Sequence, residues 1–480
     1  MKSYKILIFI LSVIAILAAV AYFFPKDGVK IGSTELRFPS IEEVLVREPI
    51  ETEEIDPLIA IQDSIRMEEL RSLKDTLAHY KEVFIGDAGQ FYFPDDDITF
   101  FDKVFDEMRN AKSNHRIIRI MHYGDSQIEM DRLSANLREW FQTHFGGGGP
   151  GMLPAVQTIP SAVVSQRATG DLTAYAPYGD AGERTRTGNY GIMAKSYHMG
   201  SSAVVNIYAS KHNAARERVK QFSSVKLLVN DRNGKFKAQI QAKGNPQKYE
   251  MESPGKGIQL LQCQLDTEAT TLTVRMSGAS DIYGIMVDDG YGVNVDNIPL
   301  RGCSGTIFTQ LKDTMLQRCY ELSDVGIILL QFGGNSVPAL YNDASIQKFK
   351  EATSKQIRYI RSLYPKAAVV YIGPSDMSTR KGGGNLRTYP CLPGLIAALK
   401  EAAHENGAAY WDLYAAMGGE NSMIQWVKSG WAGPDYVHFT PKGAEIMGDI
   451  MAQSFDEVYR FYMMRKNMDQ TQLDSLWTAR

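Results

Sequence analysis

Cysteine is scarce in this chain: Cys263, Cys303, Cys319 and Cys391 are the only four among 480 residues. So few cannot staple a fold of this length, and stability has to come from a hydrophobic core. They leave room for one disulfide, for instance Cys303 with Cys319. No CxxC pair occurs, so the usual frame of a structural zinc site is missing; no metal and no cofactor is expected. Charge imbalance is nearly absent too, with 52 basic against 55 acidic residues and a formal net charge of −3. Without a basic stripe, nucleic acid is excluded as a partner. The serine elbow GxSxG is lacking, which sets aside the common α/β-hydrolase arrangement. "GGGGPG" at 146–151 is followed by no Gly-Lys-Ser/Thr and is not a phosphate loop. No repeat of fixed period runs through the chain.

What is present begins at the N-terminus. Lys2 and Lys5 precede an apolar stretch from Ile6 to Phe24. Its length is about the 20 residues that span a bilayer as a helix. Basic residues ahead of it favour an exported remainder. Ala19-Val20-Ala21 is also shaped like a signal-peptidase site. Residues 1–27 therefore read as a transmembrane signal anchor, with a cleaved signal as the alternative. Both place the body in the cell envelope, facing or within the periplasm. Residues 28–110 read as an acidic spacer, which no helix crosses at Pro49, and then an amphipathic helix. In that helix Leu58, Ile61, Ile65, Leu70, Leu73 and Leu77 recur at near-helical spacing and should pack on the body, with pairing to another copy as the alternative.

The chain as a whole, 44% apolar, has the composition of a globular protein with a substantial core. Residues 111–165 and 292–464 alternate apolar strands with helices, the pattern of a parallel α/β sheet. Between them, 166–291 is a series of short β-type segments separated by turn residues, which predicts an inserted β-sandwich. Residues 465–480 form a polar tail.

Ligands of open α/β sheets bind at the carboxyl ends of strands, and four groups fall there. Ser126 follows the strand "IIRIMHYGD". Alone it reads best as a helix cap, with Glu129 completing a capping box; as a nucleophile it needs a base. His438 lies three residues after Asp435 in "GPDYVHFTPKG". Histidine titrates near neutrality, and a carboxylate on its other nitrogen fixes the tautomer. A lone surface histidine is the bland alternative. Asn335 closes "LLQFGGNS" and has an amide able to meet an oxyanion, or is simply a turn residue. Gly305 in "RGCSGT" offers a backbone N–H ahead of a helix.

The order of these groups (Gly124-Asp125-Ser126, Gly305, "GGNS" at 333–336, then Asp435 and His438) resembles the SGNH, or GDSL, hydrolase family. Ser336 stands where that family usually has aspartate. The stretch from His122 to Met152 and the β insert after it are similar to bacterial peptidoglycan O-acetylesterases, whose insert resembles a carbohydrate-binding module. The resemblance implies an SGNH (flavodoxin-like) sheet interrupted by the insert, and an acyl-enzyme mechanism. Ser126 would be the nucleophile, His438 the base and Asp435 its orienter, with Ser126 N–H, Gly305 N–H and the Asn335 amide holding the oxyanion. The expected partner is an acylated glycan, peptidoglycan first, with Tyr175, Tyr178 and Tyr190 either exposed stacking platforms for sugars or ordinary β-sheet packing residues. An O-acetyltransferase, or a non-enzymatic glycan-binding envelope protein, stands as the alternative.

Overall fold

The computed structural model describes residues 3–25, 27–31, 34–39, 73–84, 89–179, 184–185, 187–210, 216–380 and 385–468. They fall into two units, Met1–Ala78 and His79–Arg480. In the first, a helix runs from Ser3 to Phe23, and Ile8, Phe9, Leu11 and Ile14 on it are exposed. A small antiparallel hairpin, Val29–Ile31 with Thr34–Leu36, follows. Among the described residues no helix is long and apolar enough to cross a membrane, so the transmembrane reading of 1–27 has no structural support. Of the amphipathic helix expected over 58–83, the described part is Leu73–Phe84. Residues 58–72 and the tail from 469 lie outside the described residues. Tyr80 and Phe84 stack on Phe461 of the C-terminal helix Pro441–Lys466.

The second unit is built on a six-stranded sheet. Its strands are β1 (Phe91–Tyr92), β2 (Ile117–Gly124), β3 (Gly292–Pro299), β4 (Val325–Gln331), β5 (Ala368–Ile372) and β6 (Ala409–Trp411), in the order β3-β2-β4-β5-β6-β1. All neighbours are parallel except β1, which pairs antiparallel with β6. Every residue of β2 and β4 is buried, as expected of strands covered on both faces. The body therefore begins before 111: β1 and the helix Asp102–Ala111 belong to it, and Phe91, Phe101 and Phe455 pack together in its core. The boundary expected at 111 falls too late, and the strand Phe91–Tyr92, only two residues long, carries no detectable period to mark it.

The β region also begins earlier than 166. Gly151–Leu153 pairs with Ile285–Val287, so the antiparallel strands extend from 151 to 288. They form one nine-stranded sheet, where two separate sheets of a sandwich were expected. A single long strand, Ser196–Ala209, explains the difference. Near Tyr197–Met199 it pairs with Ser280–Ile282, and over Ser202–Tyr208 it pairs with Thr271–Ser277. The sheet turns on itself there, and both halves share one core that includes Ile207, Val229, Ile240, Val274 and Ile285. The tyrosines expected to stack on sugars are mostly inside. Tyr190 is buried with its hydroxyl bonded to Thr185, and Tyr175 and Tyr178 lean on the core. The Tyr190 ring is taken up by packing, while Tyr175 and Tyr178 keep part of their surface open.

A buried ion cluster fastens the two sheets together. Arg119 on β2 reaches Asp296 on β3, with Nη1 3.1 Å from each oxygen, and also Asp288 at the end of the insert. Lys226 Nζ lies 3.5 Å from Asp288. Removing one partner of a buried pair strands the others without water or counter-charge. Arg119→Met is expected to destabilise the protein by about 3–5 kcal/mol. A urea midpoint unchanged from the parent would show that the cluster does not couple insert to body.

Candidate active site

The carboxyl ends of β2 and β4 create the site. β2 ends at Gly124, and the chain turns into a 3₁₀ segment, Ser126–Asp131. The α-helix expected straight after Ser126 starts only at Ser134. Glu129 is extended (φ −56, ψ 154) and Met130 left-handed (φ 61), which interrupts the hydrogen-bond ladder. Nor is Ser126 a cap. The cap is Asp125, whose carboxylate accepts from Gln127 N at 2.9 Å. Glu129 makes no capping box, because Arg301 holds it through two bonds of 2.6 and 2.7 Å. The Ser126 hydroxyl is thus left to face the loop from 433 to 440.

There the Ser126 Oγ lies 2.8 Å from His438 Nε2. His438 Nδ1 lies 2.8 Å from Asp435 Oδ2. Burial works against the charge on Asp435, but the His438 ring and the N–H groups of His438 and Val437 outweigh it and hold its carboxyl below the usual range. A half-exposed His–Asp pair remains open to solvent. Gln127, which sequence reasoning passed over, clamps this loop to the serine turn. Its Nε2 donates to Val437 O at 2.9 Å and Ser375 Oγ at 3.2 Å, and its Oε1 accepts from Phe439 N. Nothing local marks it; its partners lie about 250 to 310 residues away in the chain.

Asn335 follows β4 through Gly333, whose φ of +118 favours glycine. Its Nδ2 donates to Asp125 Oδ2 and to Cys303 O, both at 3.2 Å. Ser126, His438 and Asn335 line one cavity of about 240 Å³, together with Gln127, Pro338 and Leu413. Gly305 is placed differently from the expectation. It is glycine because a Cβ would meet the Phe332 ring at 2.5 Å and because its φ is +84. Its N–H is turned to Cys303 Sγ at 3.3 Å, and it is not among the residues lining the cavity. Cys303 and Cys319 are both free thiols, so the disulfide allowed by their number does not form. His122, buried on β2 between Ser134 Oγ and Gln331 Oε1, is held neutral with its pKa lowered to about 4 by burial. Among the described residues no three His, Cys, Asp or Glu side chains are grouped to hold a metal ion.

Asp125 carries an electrostatic cost. Burial pushes its carboxyl up to about 6, against the Gln127 N–H and the nearby His438. A folded-state pKa above the unfolded one means that ionisation opposes folding: stability falls as pH rises from about 4 through 6. Asp125→Asn should therefore stabilise the protein at pH 7.5 by about 2–3 kcal/mol, with the gain vanishing near pH 4. Thermal melts across that range check it; a gain independent of pH would refute the assignment.

Residues 276–446 match the GDSL-like Lipase/Acylhydrolase family. The match starts within the last strands of the insert, which separates Ser126 from the rest of the site in sequence. Among solved structures, one described as a peptidoglycan O-acetylesterase in action superposes with a TM-score of 0.59 at 22% identity, covering 75% of this chain and 96% of that one. Family two carbohydrate esterases from Clostridium thermocellum (in complex with cellohexaose) and Cellvibrio japonicus score 0.25 each. They are 9% and 8% identical, cover 54% and 62% of this chain, and are themselves covered to 93% and 98%. No curated protein matches by sequence. Family match and shared fold agree with the sheet and with the loops at its carboxyl edge: residues 276–446 are similar to the GDSL-like lipase/acylhydrolase family, and the chain shares the fold of the peptidoglycan O-acetylesterase structure.

Proposed function

We propose that the protein is an exported O-acetylesterase acting on a cell-envelope glycan, with O-acetylated peptidoglycan as its substrate. One observation carries the reading: the unbroken relay from Ser126 Oγ to His438 to Asp435, at 2.8 Å for each step, opening on a cavity of about 240 Å³. A cavity that small, below the usual range of ligand pockets, suits a short acyl group. The fold shared with a peptidoglycan O-acetylesterase supports the glycan, and Lys2, Lys5 and the apolar stretch behind them support export.

His438 Nε2 takes the Ser126 proton as Oγ attacks the ester carbonyl, and Asp435 steadies the imidazolium. The Asn335 amide turns from Cys303 O or Asp125 to the new oxyanion. The Ser126 N–H, at the first position of the 3₁₀ turn and without an intrahelical acceptor, is the second donor. The sugar hydroxyl leaves with the proton from His438. Water, deprotonated by His438, then attacks the acyl-serine and frees acetate.

The test is acetate released by the full chain from O-acetylated peptidoglycan, with Ser126→Ala as control. Acetate appearing on an added acceptor glycan and not in solution would replace the esterase reading by a transferase one.

A further inference from the structure

A second cleft, of about 630 Å³, is lined among others by Met130, Asp131, Arg132, Arg216, Lys442 and Glu445. It abuts the site on two sides in sequence: Arg132 is six residues after Ser126, and Lys442 four after His438. Arg132 also touches the nucleophile's own backbone, with Nη1 3.0 Å from Ser126 O. It is half-buried, and burial lowers its pKa despite the pull of Glu129 and Asp435. Those two acids are committed elsewhere, Glu129 to Arg301 and Asp435 to His438. Across the cleft, Glu445 is shared between Arg216 at 3.7 Å and Lys442 at 3.4 Å, which leaves the lining with an excess of positive charge.

The loop that presents Arg132 is held against its own preference. Met130, Asp131 and Leu133 all have φ near +60, a region that side-chain-bearing residues avoid. Such strain persists only where surrounding contacts over-determine it, and it clusters at functional sites. Here the contacts are the Glu129–Arg301 pair on one side and Asp131 on the other. Asp131 is buried against Arg138 and accepts from Ser161 Oγ and Ala162 N. A relaxed loop would carry Arg132 away from Ser126.

We propose that this cleft is a subsite for a carboxylate of the glycan substrate, with Arg132 as the residue that reads it and Lys442 as its support. The inference rests on the esterase reading above and narrows it to an acidic acylated glycan. Guanidinium groups suit the task because their fork matches a carboxylate.

The experiment compares one O-acetylated muropeptide in two forms, its carboxylates free or converted to methylamides. Acetate release is followed for the parent and for Arg132→Gln, Arg132→Lys and Lys442→Gln. The parent should prefer the free form by roughly 10-fold or more in kcat/KM, carried by KM and weakened by added salt. Arg132→Gln should abolish that preference, Arg132→Lys should keep part of it, and Lys442→Gln should reduce it. Lys442 is on the surface, so its variant carries the test even where Arg132→Gln does not fold. Equal rates on both forms by the parent, or a preference that survives Arg132→Gln and Lys442→Gln, overturn the subsite and leave the esterase reading standing. No acetate from either form sinks both.

Discussion

Ser126→Ala is expected to lower kcat for acetate release by about 10⁵–10⁶ while leaving the fold in place. The side-chain bond given up is the one to His438 Nε2, at 2.8 Å, so the substitution removes a nucleophile and little else. A partly exposed position of this kind should change stability by no more than about 0.5 kcal/mol. The two readouts belong together. A dead variant with an unchanged melting point places Ser126 in the chemistry. A variant that retains turnover refutes the nucleophile assignment, whatever the substrate. Some residual rate above water should remain, because oxyanion donors act without the triad.

Asp435→Asn is the second large effect, about 10³–10⁴ in kcat. The carboxylate accepts from the His438 ring and from two backbone N–H groups, and it fixes which imidazole nitrogen carries the proton. An amide in its place presents its own N–H toward Nδ1, or flips and loses the backbone contacts. Either way Nε2 no longer stands ready as the base. The side chain of Asp435 is 50% exposed, so water takes over part of the stabilisation of the imidazolium, and the loss should lie at the lower end of that range. A variant within tenfold of the parent would mean that the carboxylate does not orient His438.

The features of the site that were legible in the sequence share a property: each is carried by a few adjacent residues. Asp435 and His438 are three apart in one loop, Gly124-Asp125-Ser126 sits at the end of an apolar run, and Asn335 closes another. The structure brings these groups around one cavity. Gly305, read the same way, was legible as a glycine turn but not as a donor. Its amide turns to Cys303 Sγ two residues back, and Phe332 leaves no room for a Cβ; neither contact can be read from spacing. Gln127 and Arg132 were missed for the same reason, since their partners are a distant loop and a strained turn. The capping box at Glu129 failed because Arg301, 172 residues away, competes for the same carboxylate.

By itself the sequence determined the elements: apolar runs long enough to be buried strands, helices between them, an interruption by β-type segments, and the short polar motifs at the strand ends. Tertiary structure alone decided how these meet. It set the strand order β3-β2-β4-β5-β6-β1, the single folded sheet of the insert and the burial of Tyr190. It also brought Ser126 within 2.8 Å of a histidine 312 residues away. The physical reason is that periodicity records only which face of an element seeks the core. Which elements share that core, and which side chains then lose or keep their water, depends on packing over the whole chain.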